Sequence, residues 1–297
     1  MSKKIPYLFA ALSSAVLSLG TAAGEPPAST YTQIDYPAAI ATGAYGTNAR
    51  GDVVGFYVDP VTHQRRGFML SGGNFTTIDY PGALITEARG INPQGDIVGT
   101  YQNHPTVPGG DFHGFLLRQG VFTNVDYPGH LHTIAQRITP TGQILGCYHD
   151  QDTMGTMFGI LMGPNGPENT GVPASMNNGA TPDARLIAGF YTDMMTGKTH
   201  GYLLTNGTIT PFDVPGSLST QAWDLSPSGE ITGIYVDTTT RVRGFLLSHG
   251  DFVSIDYPGS VATKAFGINP QGDVVGLYVA SGATHGFILS RPPQHGQ

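Results

Sequence analysis

The 297-residue chain carries only 12% charged residues, about half the roughly 25% of an average soluble domain, together with 42 Gly and 22 Pro, which exclude long helical bundles and coiled coils. Its apolar content of 39%, with 14 Phe and 14 Tyr, is enough to build a core and excludes a disordered chain. Fourteen basic against 21 acidic residues, a formal net charge of −7, provide no field for a phosphate backbone, so no nucleic-acid partner is expected.

Residues 1–23 read as a signal peptide: a basic start at Lys3 and Lys4, an apolar run from Ile5 to Leu19, then small residues at Thr21, Ala22 and Ala23. The run is about 15 residues, short of the roughly 20 that span a bilayer. No second such run follows, so the mature chain is expected to be secreted or periplasmic, without a membrane span, and monomeric. Residues 24–30 read as a short linker, 31–290 as one repeat domain and 291–297 as a disordered tail. The lone Cys147 can form no internal disulfide and reads as a small buried hydrophobe.

From Tyr31 onward the chain repeats itself. The Pro that closes each Asp-Tyr-Pro-like segment recurs at Pro37, Pro81, Pro128, Pro173, Pro215 and Pro258, with spacings of 44, 47, 45, 42 and 43 residues. A Gly-x-Tyr marker follows each one, from Gly55 and Tyr57 to Gly276 and Tyr278. Each copy contains four segments of strand-like alternation, in copy two Phe75 to Tyr80, Thr86 to Ile91, Asp96 to Tyr101 and Gly114 to Leu117. The turns between them, such as Asn92-Pro93-Gln94-Gly95 and Arg118-Gln119-Gly120, carry Gly. Four strands per roughly 45 residues predict a propeller blade, and six copies predict an all-β, six-bladed β-propeller. The first copy lacks a preceding Gly-Phe-Leu-Leu strand and the last lacks a following one, so the N- and C-terminal strands are expected to pair and close the ring.

Loop lengths assign the faces. From each Pro to a following Ala the count is seven in every copy, whereas from the Gly-x-Tyr tyrosine to the next strand's Gly it varies as 10, 13, 11, 10, 9 and 8. In a meander the fixed Pro loop and the variable loop share one face, and the Gly turns share the other. Copy four, with nine residues from Ala180 to Gly189 where the others have 11, is expected to be a weak blade.

The Pro-loop face gathers the polar candidates. His113, His200 and His285, with Arg66 and Arg243 in the equivalent place, precede the Gly-Phe strands, and aspartates such as Asp35, Asp79, Asp126, Asp213 and Asp256 stand near the Pro loops. They read either as ligand contacts or as the blades' own hydrogen-bond ties. Copy three departs from the pattern with His130 and His132 in its Pro loop and Tyr148, His149, Asp150 and Asp152 beyond it, a set that could bind a metal ion or supply a catalytic base. A metal at His130, His132, His149 and Asp150 is one expectation; no cofactor is required by any motif. The Ala-x-Gly strand departs too: Arg137 and Asp224 replace its final Gly, and Arg89 and Trp223 vary at its centre. On an innermost strand, Trp223 with Arg89 and Arg137 would stack on a sugar ring and pair with its carboxylate, while blade packing and an Arg137–Asp224 salt bridge are the alternative reading.

The run Ile-Asn-x-x-Gly-Asp-x-Val-Gly-x-Tyr, followed by His-Gly-Phe at His113-Gly114-Phe115 and His285-Gly286-Phe287 and by Phe-x-x-Ile-Asp-Tyr-Pro-Gly, resembles the bacterial extracellular HAF repeat family over nearly all of the mature chain. That resemblance implies an extracellular setting and little about activity. Motifs for nucleophilic, nucleotide or zinc chemistry do not occur. The expected function is a secreted or surface-associated module that binds carbohydrate or another cell-surface polymer on the Pro-loop face. The alternatives are a polysaccharide lyase or glycoside hydrolase, with catalysis from His130, His132, His149, Tyr148 or Arg137, and a structural matrix scaffold.

Overall fold

The computed structural model describes residues 29–103, 111–150 and 156–292. The described residues form 24 strands, numbered here β1 to β24 in chain order, in six four-stranded antiparallel sheets. The first blade holds β2 (Ala41–Thr47), β3 (Val53–Val58), β4 (Arg65–Ser71) and β5 (Asn74–Ile78) in that spatial order. Later blades repeat it. Their first strands are β6 (Ile85–Ile91), β10 (His132–Ile138), β14 (Ser175–Ala180), β18 (Ser219–Leu225) and β22 (Ala262–Ile268). These six strands contact one another in a closed ring and are therefore the innermost of each blade. Ring closure follows the sequence expectation: β1 (Thr30–Ile34) pairs antiparallel with β24 (Ala283–Ser290), from Thr30 opposite Ser290 to Ile34 opposite Gly286. The expected signal peptide, residues 1–23, lies outside the described residues, and among those described no helix is long and apolar enough to cross a membrane.

Every innermost strand has a bulge at the same place. Ala44 pairs with Gly55 and Gly46 with Val54, so Tyr45 is the extra residue; Arg89, Gln136, Asn178, Trp223 and Phe266 are its counterparts. The bulge explains the Gly of Gly-x-Tyr, because a Cβ on Gly99 would stand 2.0 Å from the Glu87 carbonyl oxygen and 2.8 Å from the Phe115 ring. Blade three has Ile160 in place of the ring and keeps Ala135, whereas in blade four both positions change. Tyr202 replaces Phe in blade four, and Asn177 replaces the Ala and accepts the Tyr202 hydroxyl's hydrogen bond, with the Met176 carbonyl oxygen as a second acceptor at 3.2 Å.

Two sequence expectations are corrected. In copy four the residue opposite Gly189 is Asn177, not Ala180, so its Pro loop is three residues shorter than the others and the seven-residue count there was a coincidence of composition. Counted from Asn177, the copy has one residue more than the others up to Gly189, and β14 to β17 form a complete four-stranded blade. Nor is the whole of 291–297 a tail, because the partly buried Arg291 is ion-paired with Glu230 at 2.9 Å and donates to the Gly272 carbonyl. Residues 293–297 lie outside the described residues.

Five of the six Pro loops share one side-chain bond. The Tyr36, Tyr80, Tyr127, Val214 and Tyr257 amides donate at 2.8–3.0 Å to the hydroxyls of Thr42, Thr86, Thr133, Thr220 and Thr263, all essentially inaccessible. Tyrosine pairs stack above them, Tyr36 on Tyr57, Tyr80 on Tyr101 and Tyr257 on Tyr278, with ring centroids 3.6–3.7 Å apart. Substituting Gly99→Ala forces a methyl into the bulge carbonyl and is expected to cost about 1–3 kcal/mol or more of unfolding free energy. Urea denaturation followed by circular dichroism measures it; an unchanged midpoint contradicts the crowding.

Candidate functional site

The shaft is shaped by the residues after the bulges. In blades one, two and six these are Gly46, Gly90 and Gly267, where a Cβ would lie 2.7–2.9 Å from the Arg89, Gln136 and Tyr45 carbonyl oxygens respectively. In blade three the same place is Arg137, whose guanidinium occupies the axis. It donates to the carbonyl oxygens of Tyr45 at 2.8 Å, Gln136 at 3.1 Å, Arg89 and Phe266, drawn from four different blades. Asp224 of blade five faces it, with Nε to Oδ2 at 3.2 Å, and accepts the amides of Leu225 and Ile268 at 2.9 and 3.0 Å. Burial pushes the Asp224 carboxyl up against the pull of Arg137 and of both amides, and burial likewise draws Arg137 down. The pair is held by geometry at a desolvation cost, which is the behaviour of a group that sets register more than one that adds stability.

This pair separates two cavities. On the turn face a pocket of about 90 Å³ lies among the six turns, five of which carry Pro93, Pro140, Pro182, Pro227 and Pro270 and the sixth Ala49. On the Pro-loop face opens a funnel of about 490 Å³ lined by Tyr45, Phe56, Trp223 and Phe266, with Arg65, Arg89, Lys264 and Gln221 as its long polar side chains. Trp223 meets Phe266 edge-on at 4.9 Å and Phe266 meets Tyr45 at 5.0 Å, while Trp223 Nε1 donates to Gln221 Oε1 at 3.1 Å. Behind this wall sits Glu87, buried and gripped by Arg65 Nη1 and, at 2.6 Å, by Arg89 Nη2. Burial raises the Glu87 pKa, but the two arginines outweigh it and hold the carboxyl below the usual range. Arg89 also bonds Gln136 Oε1 at 3.0 Å and lies over the Tyr45 ring, and Arg65 lies over Phe56.

The structure thus divides the sequence candidates. Trp223 and Arg89 come together in the funnel, but Arg137 and Asp224 do not join them: they form the axial salt bridge, and Arg137 is consumed by carbonyl oxygens below. His113, His200 and His285 each pair through Nδ1 with an aspartate of their own blade, Asp126 at 2.7 Å, Asp213 at 3.0 Å and Asp35 at 3.0 Å. Arg66 binds Asp79 at 2.9 Å, and Arg243 binds Asp237 at 2.8 Å and Asp256. In blade three both partners change together, Phe158 standing opposite Tyr148 where His113 stands opposite Tyr101, and Gly171 replacing the aspartate. These side chains are ties between the third and fourth strands of a blade.

The copy-three histidines also part company. His130 pairs with Asp150 at 2.8 Å and stacks on Tyr148 with centroids 3.6 Å apart, whereas His132 is buried with its ring 4.8 Å from that of His149. Among the described residues no group of three or more His, Cys, Asp or Glu is arranged to hold a metal ion, so the expected set of His130, His132, His149 and Asp150 is not gathered; Asp152 lies outside those residues. None of these histidines, nor Tyr148, lines the funnel. Cys147 is fully buried and its thiol is pushed up to about 12, as a packing residue requires.

Sequence reasoning missed two features. Glu87 and Lys264 occupy the place before the Ala of the innermost strand, which the repeat fills otherwise with Gly43, Ile134, Met176 and Gln221, so a scan for charges there finds both. Five of the six Pro loops also present an exposed aliphatic side chain three residues after the Pro, Ile40, Leu84, Leu131, Leu218 and Val261, between 37% and 67% accessible, whereas the corresponding Met176 is buried. The constant offset was visible in the sequence.

The fold and site define a six-bladed β-propeller with a plugged axis and one asymmetric funnel. No family model matches the chain, and no curated protein matches it. Similar solved structures are propellers: TolB of Acinetobacter baumannii (TM-score 0.56, 14% identity, 82% of this chain and 64% of that one), a gluconolactonase of Xanthomonas campestris (0.51, 13%, 89% and 96%) and the six-bladed Aleuria aurantia lectin with its fucose recognition mode (0.50, 12%, 85% and 95%). At these identities the likeness is one of fold.

Removing the axial cation tests its role. Arg137→Leu leaves Asp224 buried without a counter-charge and is expected to cost about 3–5 kcal/mol. Asp224→Asn, which can still accept a backbone amide, should cost clearly less. Chemical denaturation of both proteins measures this, and equal small losses contradict the axial assignment.

Proposed function

We propose that this protein is an exported binding module that recognises carbohydrate on its Pro-loop face, with the funnel as the principal contact. The observation that carries the reading is the funnel's composition. Trp223, Phe266, Tyr45 and Phe56 give apolar ring faces of the kind that pack on the C–H face of a sugar, and Gln221, Arg65 and Lys264 supply hydrogen-bonding groups at its walls. The exposed aliphatic ring and the His–Asp and Arg–Asp ties extend that face outward as a firm platform for a longer polymer. The fucose recognition of the structurally similar fungal lectin supports the use of a six-bladed propeller for sugar. The leader-like residues 1–23 and the resemblance to the extracellular HAF repeats support export.

Chemistry in the funnel favours binding over hydrolysis. Glycoside hydrolysis ordinarily needs two carboxyl groups, one of them able to donate a proton. Glu87 is the carboxylate beside this funnel, and two arginines hold it ionised. A glycan array is the test: binding to a defined set of glycans is expected, and Trp223→Ala should weaken it roughly ten-fold, about 1.4 kcal/mol. A protein that neither binds nor cleaves any arrayed polysaccharide overturns the reading.

A further inference from the structure

We infer, building on that carbohydrate reading, that the ligand is an acidic saccharide, whose anionic substituent is taken by Lys264 and Arg65 while its ring lies against Trp223 and Phe266. The side chains that line the funnel include three cations, Arg65, Arg89 and Lys264, and no Asp or Glu. Glu87 behind the wall offsets one of these charges, so the funnel carries an excess of positive charge in a protein whose formal net charge is −7. Such a local reversal of sign concentrates anions at the mouth.

The three cations are not equivalent. Arg89 is spent: Nη2 binds Glu87, Nη1 binds Gln136 and Nε lies 3.3 Å from the Thr100 hydroxyl. Arg65 gives Nη1 to Glu87 and keeps the other edge of its fork, on a side chain that is 49% exposed. Lys264 is half-buried on β22, facing the funnel, and its ammonium makes no hydrogen bond or ion pair among the described residues. A lysine ammonium at a cavity wall without a counter-ion is a point charge open to an arriving anion. Arg65 adds a planar fork suited to a carboxylate or sulfate. Both a uronate carboxylate and a sulfate ester meet these donors, and the experiment separates them.

The test is isothermal titration of the protein with four oligosaccharides of matched length: an oligogalacturonate, an oligoglucuronate, a sulfated galactan fragment and a neutral galactan fragment. At least one acidic ligand is expected to bind about ten-fold more tightly than the neutral one, with a preference that weakens as salt is added. The uronate arms and the sulfated arm identify the substituent. Lys264→Gln should abolish most of that preference with little change in the thermal midpoint, and Arg65→Gln should reduce it while lowering the midpoint, because it takes one counter-charge from the buried Glu87. Equal binding of neutral and acidic ligands, or a preference that survives Lys264→Gln, overturns the inference while leaving the carbohydrate reading in place. Failure to bind any of the four, in a protein that also fails the glycan array, removes both.

Discussion

Six innermost strands converge on one axis, and each carries a bulge whose carbonyl oxygens crowd it. A guanidinium is the group that fits this place, since its planar fork can donate to several acceptors at once and keeps its charge when buried. Arg137 supplies it, reaching the carbonyl oxygens of Tyr45, Arg89, Gln136 and Phe266, with Asp224 as counter-charge from across the shaft. The surrounding sequence follows from this. Gly46, Gly90 and Gly267 stay glycine because a methyl there would strike neighbouring backbone, and only blades three and five depart, as the charged pair. A six-fold repeat thereby acquires one oriented, non-repeating element at its centre.

That element decides where a ligand can go. With the shaft closed toward the turn face, the usable space is a one-sided funnel opening among the Pro loops, bordered chiefly by blades one, five and six with Arg89 of blade two. Its walls are unequal because the bulge residues are unequal, Tyr45, Arg89, Trp223 and Phe266, each turned inward by the same backbone irregularity. The rim is built differently. There the His–Asp and Arg–Asp pairs recur blade by blade and change in concert, as in the Phe158 and Gly171 of blade three. Concerted replacement of both partners is what a structural tie requires, because a lone buried or half-buried charge is costly.

Much of the fold was legible because its signals are local: turn glycines, alternating strands and a period of about 45 residues give the blade count, the ring closure and the two faces. Copy four misled because an alanine happened to stand seven residues after Pro173, and only the strand register shows that Asn177 holds the equivalent place. The centre was legible as a list of departures, with the Arg137–Asp224 salt bridge as one of two readings, but the side of the shaft that each residue takes was not. Trp223, Arg89, Arg137 and Asp224 lie within the same strand motif, yet one residue of offset at the bulge sends the first two into the funnel and the last two into the floor. Ties across about 13 residues, such as His113 with Asp126, were one of two readings of those recurring residues, and the structure supplies which aspartate each one meets. Lys264 and Glu87 were hidden by a repeat position that tolerates almost any side chain.

The account rests on the Arg137 guanidinium being locked on the axis, and nitrogen-15 NMR of arginine side chains observes that directly. The expected spectrum contains one guanidinium with separate, slowly exchanging Nη protons, lost on Arg137→Leu substitution. If Arg137 instead gives the single averaged, rapidly exchanging Nη signal of a solvated arginine, the shaft is open and the one-sided funnel does not exist as described.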